Sequence, residues 1–142
     1  MKIRPFTIED CPEVISLWSR AGLMVELAGR DTPEALGNQL EYFSETYLVA
    51  EEGSRIIGVV LGTHDGRKGW ISRLAVNPEY RRQGVAETLI HEVERRWMNR
   101  GIHIFAALVM EDNPASRALF EKLGYLSDRS VMYFRKKNPP EV

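Results

Sequence analysis

Two adjacent arginines, Arg81 and Arg82, lead into Gln83, Gly84, Val85 and Ala86, where the apolar run Trp70 to Val76 gives way to an amphipathic segment ending near Arg100. Read physically, this is a strand, a turn broken at Asn77-Pro78, and a helix whose first turn starts near Gly84. The first amides of a helix lack intrahelical acceptors, and the helix dipole makes that end an anion site. Gly84 lets backbone N–H groups approach a ligand with no Cβ in the way, and the small Ala86 keeps the same face open. Arginine adds charge that does not titrate away and a planar fork suited to phosphate oxygens. The implied chemistry is the binding of a pyrophosphate or a similar anion. The turn is not a P-loop, because no Gly-Lys-Ser/Thr follows, and it is not the three-glycine dinucleotide turn.

A second stretch, Asn113 to Tyr125, reads Asn-Pro-Ala-Ser-Arg-Ala-Leu-Phe-Glu-Lys-Leu-Gly-Tyr. Asn113 suits an N-cap, Pro114 the first helical position and Gly124 the residue just past the helix. By its composition alone it is a well-made short helix.

Taken in order, the two stretches resemble the GCN5-related N-acetyltransferase (GNAT) family. Its acyl-CoA turn has the pattern Arg/Gln-x-x-Gly-x-Gly/Ala, filled here by Arg81, Gly84 and Ala86, with Leu-Ala-Val and Asn-Pro upstream. Its last block, Asn-x-x-(x)-Ala-x-x-Phe/Tyr-x-x-x-Gly-Phe/Tyr, is matched from Asn113 to Tyr125. The resemblance covers the C-terminal half, and the N-terminal half matches only in its order of elements. It implies acetyl-CoA as acyl donor, with the pyrophosphate on the amides from Gln83 through Val85 to Ala86 and charge from Arg81 and Arg82. The pantetheine arm would lie as a substitute strand along Leu74, Ala75 and Val76. Asn113, Ser116 and Phe120 would face that arm, Asn113 holding it and Phe120 lying beside the sulfur. A strand N–H would polarise the thioester carbonyl, so no catalytic side chain need appear as a motif. The implied fold is α+β: one domain over residues 1–142. Its mixed, mostly antiparallel sheet would have about six or seven strands, splay at the acyl-CoA site and carry about four flanking helices.

The elements that must position these residues are read in chain order. Lys2 to Pro5 reads as a strand with Ile3 inward. Asp10 is the expected N-cap of a helix with Pro12 in its first turn, whose face is Val14, Ile15, Leu17 and Trp18 and whose end is Gly22. An irregular segment follows to Asp31, and Thr32-Pro33-Glu34 caps a second helix to Phe43. In the resemblance, these helices and their connection form one wall of the acceptor cleft. Thr46 to Glu51 and Ile56 to Thr63 form a hairpin about Gly53, and Gly58 and Gly62 suggest a bulge or a close neighbouring backbone. A third hairpin-linked strand begins at Trp70. In the long helix Ala86, Leu89, Ile90, Val93 and Trp97 form the inner face, with Glu87, His91, Glu94 and Arg95 outside. Ile102 to Met110 is apolar apart from His103 and reads as a strand buried on both faces. Tyr125 to Lys137 supplies closing strands.

Composition bounds the partners. A hydrophobic content of 44% with 27% charged residues is that of a soluble globular chain. A formal charge of −1 gives no case for nucleic acid. No apolar run suits a membrane helix and none reads as a signal peptide, so a cytoplasmic setting is expected. The lone Cys11 excludes a disulfide framework and a cysteine metal site, and no metal is expected. The acceptor is an amine of unknown identity. A homodimer is left open.

An amine must be neutral to attack, so a base or a water relay has to take its proton. Glu111, Asp112, Glu26, Asp31, His64 and Asp65 are the candidates, and spacing singles out none. Phe120 stands where many members of the family place a tyrosine, so the usual acid for the departing thiolate is missing. Two other readings follow from these residues. One is a non-catalytic acyl-CoA-binding sensor or regulatory module. The other is a nucleotide-binding protein, weakened by the lack of a magnesium carboxylate or a Lys-Ser/Thr pair.

Overall fold

The computed structural model describes residues 1–142. Four strands, β1 (Lys2–Pro5), β2 (Tyr47–Glu52), β3 (Arg55–His64) and β4 (Lys68–Val76), pair antiparallel in chain order. A fifth, β5 (Ile104–Ala107), runs parallel to β4 at the far edge. Turn chemistry closes the hairpins. Gly53 turns between β2 and β3, and the Asp65 carboxylate accepts the N–H groups of Arg67 and Lys68, each at 2.8 Å, between β3 and β4.

The period-two alternation of β2 and β3 splits their apolar residues between two layers. Val49, Val59 and Leu61 face α1 (Cys11–Arg20) and α2 (Pro33–Phe43), packing on Val14, Leu17, Trp18 and Leu36. Leu48, Ala50 and Val60 face α3 (Val85–Asn99) and α4 (Pro114–Lys122), packing on Leu89, Ile90, Val93, Trp97 and Phe120. Val85, absent from the expected inner face of the long helix, is buried as well.

Three glycines let α3 lie close on the sheet. A Cβ built at Gly58 would stand 2.7 Å from Val85 Cγ1, one at Gly62 would stand 3.0 Å from Trp97 and Val93, and one at Gly69 would stand 2.5 Å from the Trp97 ring. The close backbone expected at Gly58 and Gly62 is found only at Gly62, where the Thr46 carbonyl stands 3.0 Å from that Cβ; Gly58 is crowded by side chains, chiefly those of α3. The expected bulge is present too, since the β2–β3 register slips between Ala50 and Glu51, opposite Gly58.

The structure corrects four expectations. The sheet has five strands rather than six or seven. β5 spans only Ile104–Ala107 and is not buried on both faces; Ile104 is 55% and Met110 72% exposed. It is an edge strand with one partner, so its apolar composition has no second neighbour to cover it. The closing strands across Tyr125 to Lys137 do not form. Asp128 turns the chain on itself by accepting from Ser130, and Val131 to Phe134 are exposed with no strand beside them. Strand propensity without a partner does not make a strand. Asp10 does not cap α1 with its side chain. It belongs to a preceding 3-10 turn over Ile8–Asp10, accepting from Thr7 N–H at 2.8 Å and from Arg4 Nη1 and Nη2 at 2.8 and 2.9 Å. Asp10 is buried, and the Arg4 guanidinium competes for it from β1. Thr32 does cap α2, accepting from Ala35 N–H at 3.0 Å.

Candidate functional site

The end of β4, the turn that follows it and the start of α3 meet in one cleft. β5 pairs with β4 only from Lys68 to Ile71, so from Ser72 onward that edge of β4 has no strand beside it. On the other edge, Val59 lies opposite Ala75 and Gly58 opposite Val76, and Asn77 N–H donates to Ile57 C=O at 2.8 Å. Alternation along β4 then turns Ala75 and Asn77 toward β3, and the N–H and C=O groups of Leu74 and Val76 toward the open edge. Nearer the start of the strand the register slips: Leu61 faces Ser72 while Val59 faces Ala75, so Arg73 and Leu74 together oppose Val60. Arg73 absorbs this bulge with φ of 52°, a left-handed conformation uncommon for a residue with a side chain.

At the end of β4, Asn77 caps a 3-10 turn by accepting from Glu79 N–H at 3.0 Å. The chain then passes Arg82 (φ 62°) and Gly84 (φ 78°), two left-handed residues flanking Gln83. Alternating handedness of this kind gathers successive amides about an anion. The first helical bond of α3 is Thr88 N–H to Gly84 C=O at 3.0 Å, so the amides of Val85, Ala86 and Glu87 precede it and have no helical acceptor. A Cβ built at Gly84 would meet nothing within 4 Å. The space over these amides is open to a ligand. Glu87, the one carboxylate beside them, is held by Lys122 Nζ at 2.6 Å; that ion pair sets the Glu87 carboxyl below its usual range and offsets its repulsion of an anion.

Across the cleft, the Asn113 carboxamide accepts from Ser116 N–H at 3.1 Å and starts α4. The cleft has a volume of about 520 Å³. Leu74, Ala75, Val76, Arg81, Arg82, Gly84, Val85, Ala86, Asn113 and Ser116 all line it. Two expected residues do not. Gln83 is exposed on the turn, and Phe120 is buried beneath α4, its ring edge-on to Tyr125 at 5.0 Å. Ala21, Leu23, Tyr80, Glu87, Ala115 and Leu119 line the cleft as well, outside the expected set. Tyr80 follows the Asn77 cap by a fixed turn geometry, a signal that was available; Leu23 arrives by tertiary packing alone.

The proposed bases scatter. His64 and Asp65 sit where β4 begins, roughly 23 Å of strand from the turn. Asp65 is committed to its hairpin amides. Asp31 is buried in an ion pair with Arg73 Nη2 at 2.8 Å and accepts Glu26 N–H at 2.7 Å. Burial presses the Arg73 guanidinium below its usual range against the pull of Asp31. Glu111 and Asp112 are exposed beside the Asn113 cap. Cys11 is packed in the core, where burial pushes its thiol up.

This arrangement fits an extended, anionic ligand with an amide-bearing arm: free amides and arginines at one end, and an unpaired strand edge between apolar walls at the other. Comparison with known proteins shows the family of the chain. The family model described as "Acetyltransferase (GNAT) family" matches residues 12–125. An acetyltransferase of Sodalis glossinidius is 34% identical over 137 residues, 96% of this chain and 95% of that protein. One of Yersinia pseudotuberculosis is 36% identical over 132 residues, 93% of this chain and 92% of that protein. The solved PaiA N-acetyltransferase of Thermoplasma acidophilum, in complex with coenzyme A, superposes with a TM-score of 0.78. It is 24% identical, with 91% of this chain and 93% of that one covered.

Proposed function

We propose that this chain, which belongs to the GNAT acetyltransferase family, moves an acetyl group from acetyl-CoA to a primary amine of a small molecule or a protein. One observation carries the reading. β4 loses its β5 partner at Ser72, and the anion turn that follows it opens into the same cleft. The pyrophosphate belongs on the amides about Gly84, with Arg81 and Arg82 beside it. The arm belongs along Leu74 to Val76, hydrogen-bonding to the edge that β5 leaves free. Asn113 and Ser116 close over the arm from α4.

The Leu74 N–H faces that open edge and is the donor suited to a thioester oxygen whose charge grows as the amine attacks. The attacking amine must shed its proton, and the departing thiolate must gain one. Phe120 has no proton to give and is sealed beneath α4, so the thiolate takes its proton from the amine or from water. A thiol ionises readily enough for its thiolate to leave without a dedicated acid.

The test is release of free CoA thiol from acetyl-CoA with a panel of primary amines, read against acetyl-CoA affinity. Amine-dependent release is expected. Tight binding with no release above background for any amine would leave the chain a binding module and overturn the enzymatic reading.

A further inference from the structure

A bulge that aims an amide into a cleft must itself be held. Opening the β3–β4 ladder at Val60 takes the Arg73 carbonyl out of strand pairing. The lost bond is replaced from α1: the Trp18 indole Nε1–H donates to Arg73 C=O at 3.1 Å. Trp18 is fully buried among Val14, Leu17, Val59 and Ala75, so its ring has no freedom to follow a moving acceptor. The carbonyl of Arg73 and the N–H of Leu74 belong to one planar peptide and point opposite ways. Fixing the carbonyl on the α1 side therefore fixes the Leu74 N–H on the cleft side. The same tryptophan carries the Arg73 side chain, whose guanidinium carbon lies 4.4 Å from the ring centroid. Beyond the ring, Arg73 Nη2 reaches Asp31, and the Asp31 carboxylate accepts the N–H of Glu26, in the segment that ends with Leu23 at the cleft. The left-handed conformation of Arg73, at φ of 52°, is unfavourable for a residue with a side chain. It is over-determined by the indole bond, the stacked ring and the ion pair.

From this geometry we infer that Trp18 is a positioning residue for the acyl-transfer step: its indole N–H, bound to the Arg73 carbonyl, sets the direction in which the Leu74 amide meets the thioester oxygen. Arg73 and Asp31 fasten the acceptor wall to the same peptide. This inference rests on the acetyl-CoA reading above. Trp18 touches no substrate. It acts through one peptide plane.

The test uses the full chain and acetyl-CoA labelled with carbon-13 at the carbonyl, followed by isotope-edited infrared spectroscopy without any acceptor. Two variants are compared: Trp18→Phe, and a protein carrying the benzothiophene isostere of tryptophan at position 18, which keeps the shape and lacks the N–H. The parent should shift the thioester carbonyl band to lower frequency on binding. Both variants should bind acetyl-CoA within about twofold of the parent, return the band toward its position in water, and lose about 10- to 100-fold in kcat at unchanged KM. That is less than the roughly 10²–10³ for outright removal of an oxyanion donor. If Trp18→Phe does not fold, the isostere decides alone. A folded isostere protein with the parent's band position and kcat would overturn the inference, whatever its melting temperature. A parent that does not bind acetyl-CoA would overturn the function itself and this inference with it.

Discussion

Replacing Gly84 by valine separates backbone strain from ligand exclusion, because the structure fixes each contribution. Gly84 sits at φ of 78°, and a Cβ there would meet nothing within 4 Å. No steric clash inside the protein is added, so the stability loss is that of a left-handed L-residue, about 1–2 kcal/mol. For a domain of this size that is a fall of about 3–8 °C in Tm. The effect on CoA is larger. A branched side chain on Gly84 projects into the space over the amides of Val85 and Ala86, and hydrogen bonds to a charged group contribute about 1.5–3 kcal/mol each. Losing two costs about 3–6 kcal/mol, roughly 10²–10⁴ in Kd. Titration calorimetry of CoA beside a thermal melt measures both quantities. Gly84→Asn is the control, since asparagine tolerates the left-handed region but still carries a Cβ. It should melt nearer the parent and still bind CoA poorly. A folded Gly84→Val protein, or a Gly84→Asn protein melting with the parent, that binds CoA as tightly as the parent would refute the account of the turn.

Two further outcomes are expected. Asn113→Ala should cost about 1 kcal/mol as a lost cap, and its CoA affinity or turnover should fall by more than that loss of stability explains; a change confined to Tm would make Asn113 a cap and nothing more. Burial raises the Asp10 carboxyl, but the Arg4 guanidinium and the Thr7 N–H outweigh it and hold the group below its usual range. A depressed carboxyl contributes stability that is complete above its unfolded value and is lost as pH falls through the folded one. Between about pH 5 and pH 2 the parent should therefore lose more unfolding free energy than Asp10→Asn does, and parallel acid-denaturation curves would contradict this.

What the sequence disclosed depended on how local its cause was. The turn was legible because Gly84, the arginines and the helix start act within a few residues of one another. Thr32, Asn113 and Gly124 were legible for the same reason, since a cap reaches only its own first or last turn. Asp10 had the right chemistry for a cap, yet its partner Arg4 lies on β1, and no local rule reports a competing guanidinium. Ile102 to Met110 was over-extended because apolar composition records appetite for burial and not the number of neighbours available. The same holds for Val131 to Phe134, which carry strand-forming side chains and have no strand to join. The bulge at Arg73 was invisible. It exists in the register between β3 and β4, and nothing in Ser-Arg-Leu-Ala announces where Val60 will fall. Trp18 was correctly read as core, but its hydrogen bond crosses from α1 to a peptide 55 residues away in the chain.

The glycines beneath α3 have a consequence for how such a chain can drift. Val85 is both the first residue of α3 and the side chain that rests over Gly58, so the height of that floor sets where the helix begins. One methyl group added at Gly58 would meet Val85 Cγ1 at 2.7 Å and Leu89 Cδ1 at 3.1 Å, and the relief is a lift of the helix's leading turn. The free amides of that first turn would rise with it. Gly58 does not line the cleft, yet it is tied to Val85, which does. Among diverging copies of this gene, enlargement at 58 should be found with shrinkage at 85 or 89, and the Trp97 ring should stay large only while position 69 stays bare. A substitution history of the cleft therefore has to be read in pairs, one member on the floor of the sheet and the other on the underside of the helix.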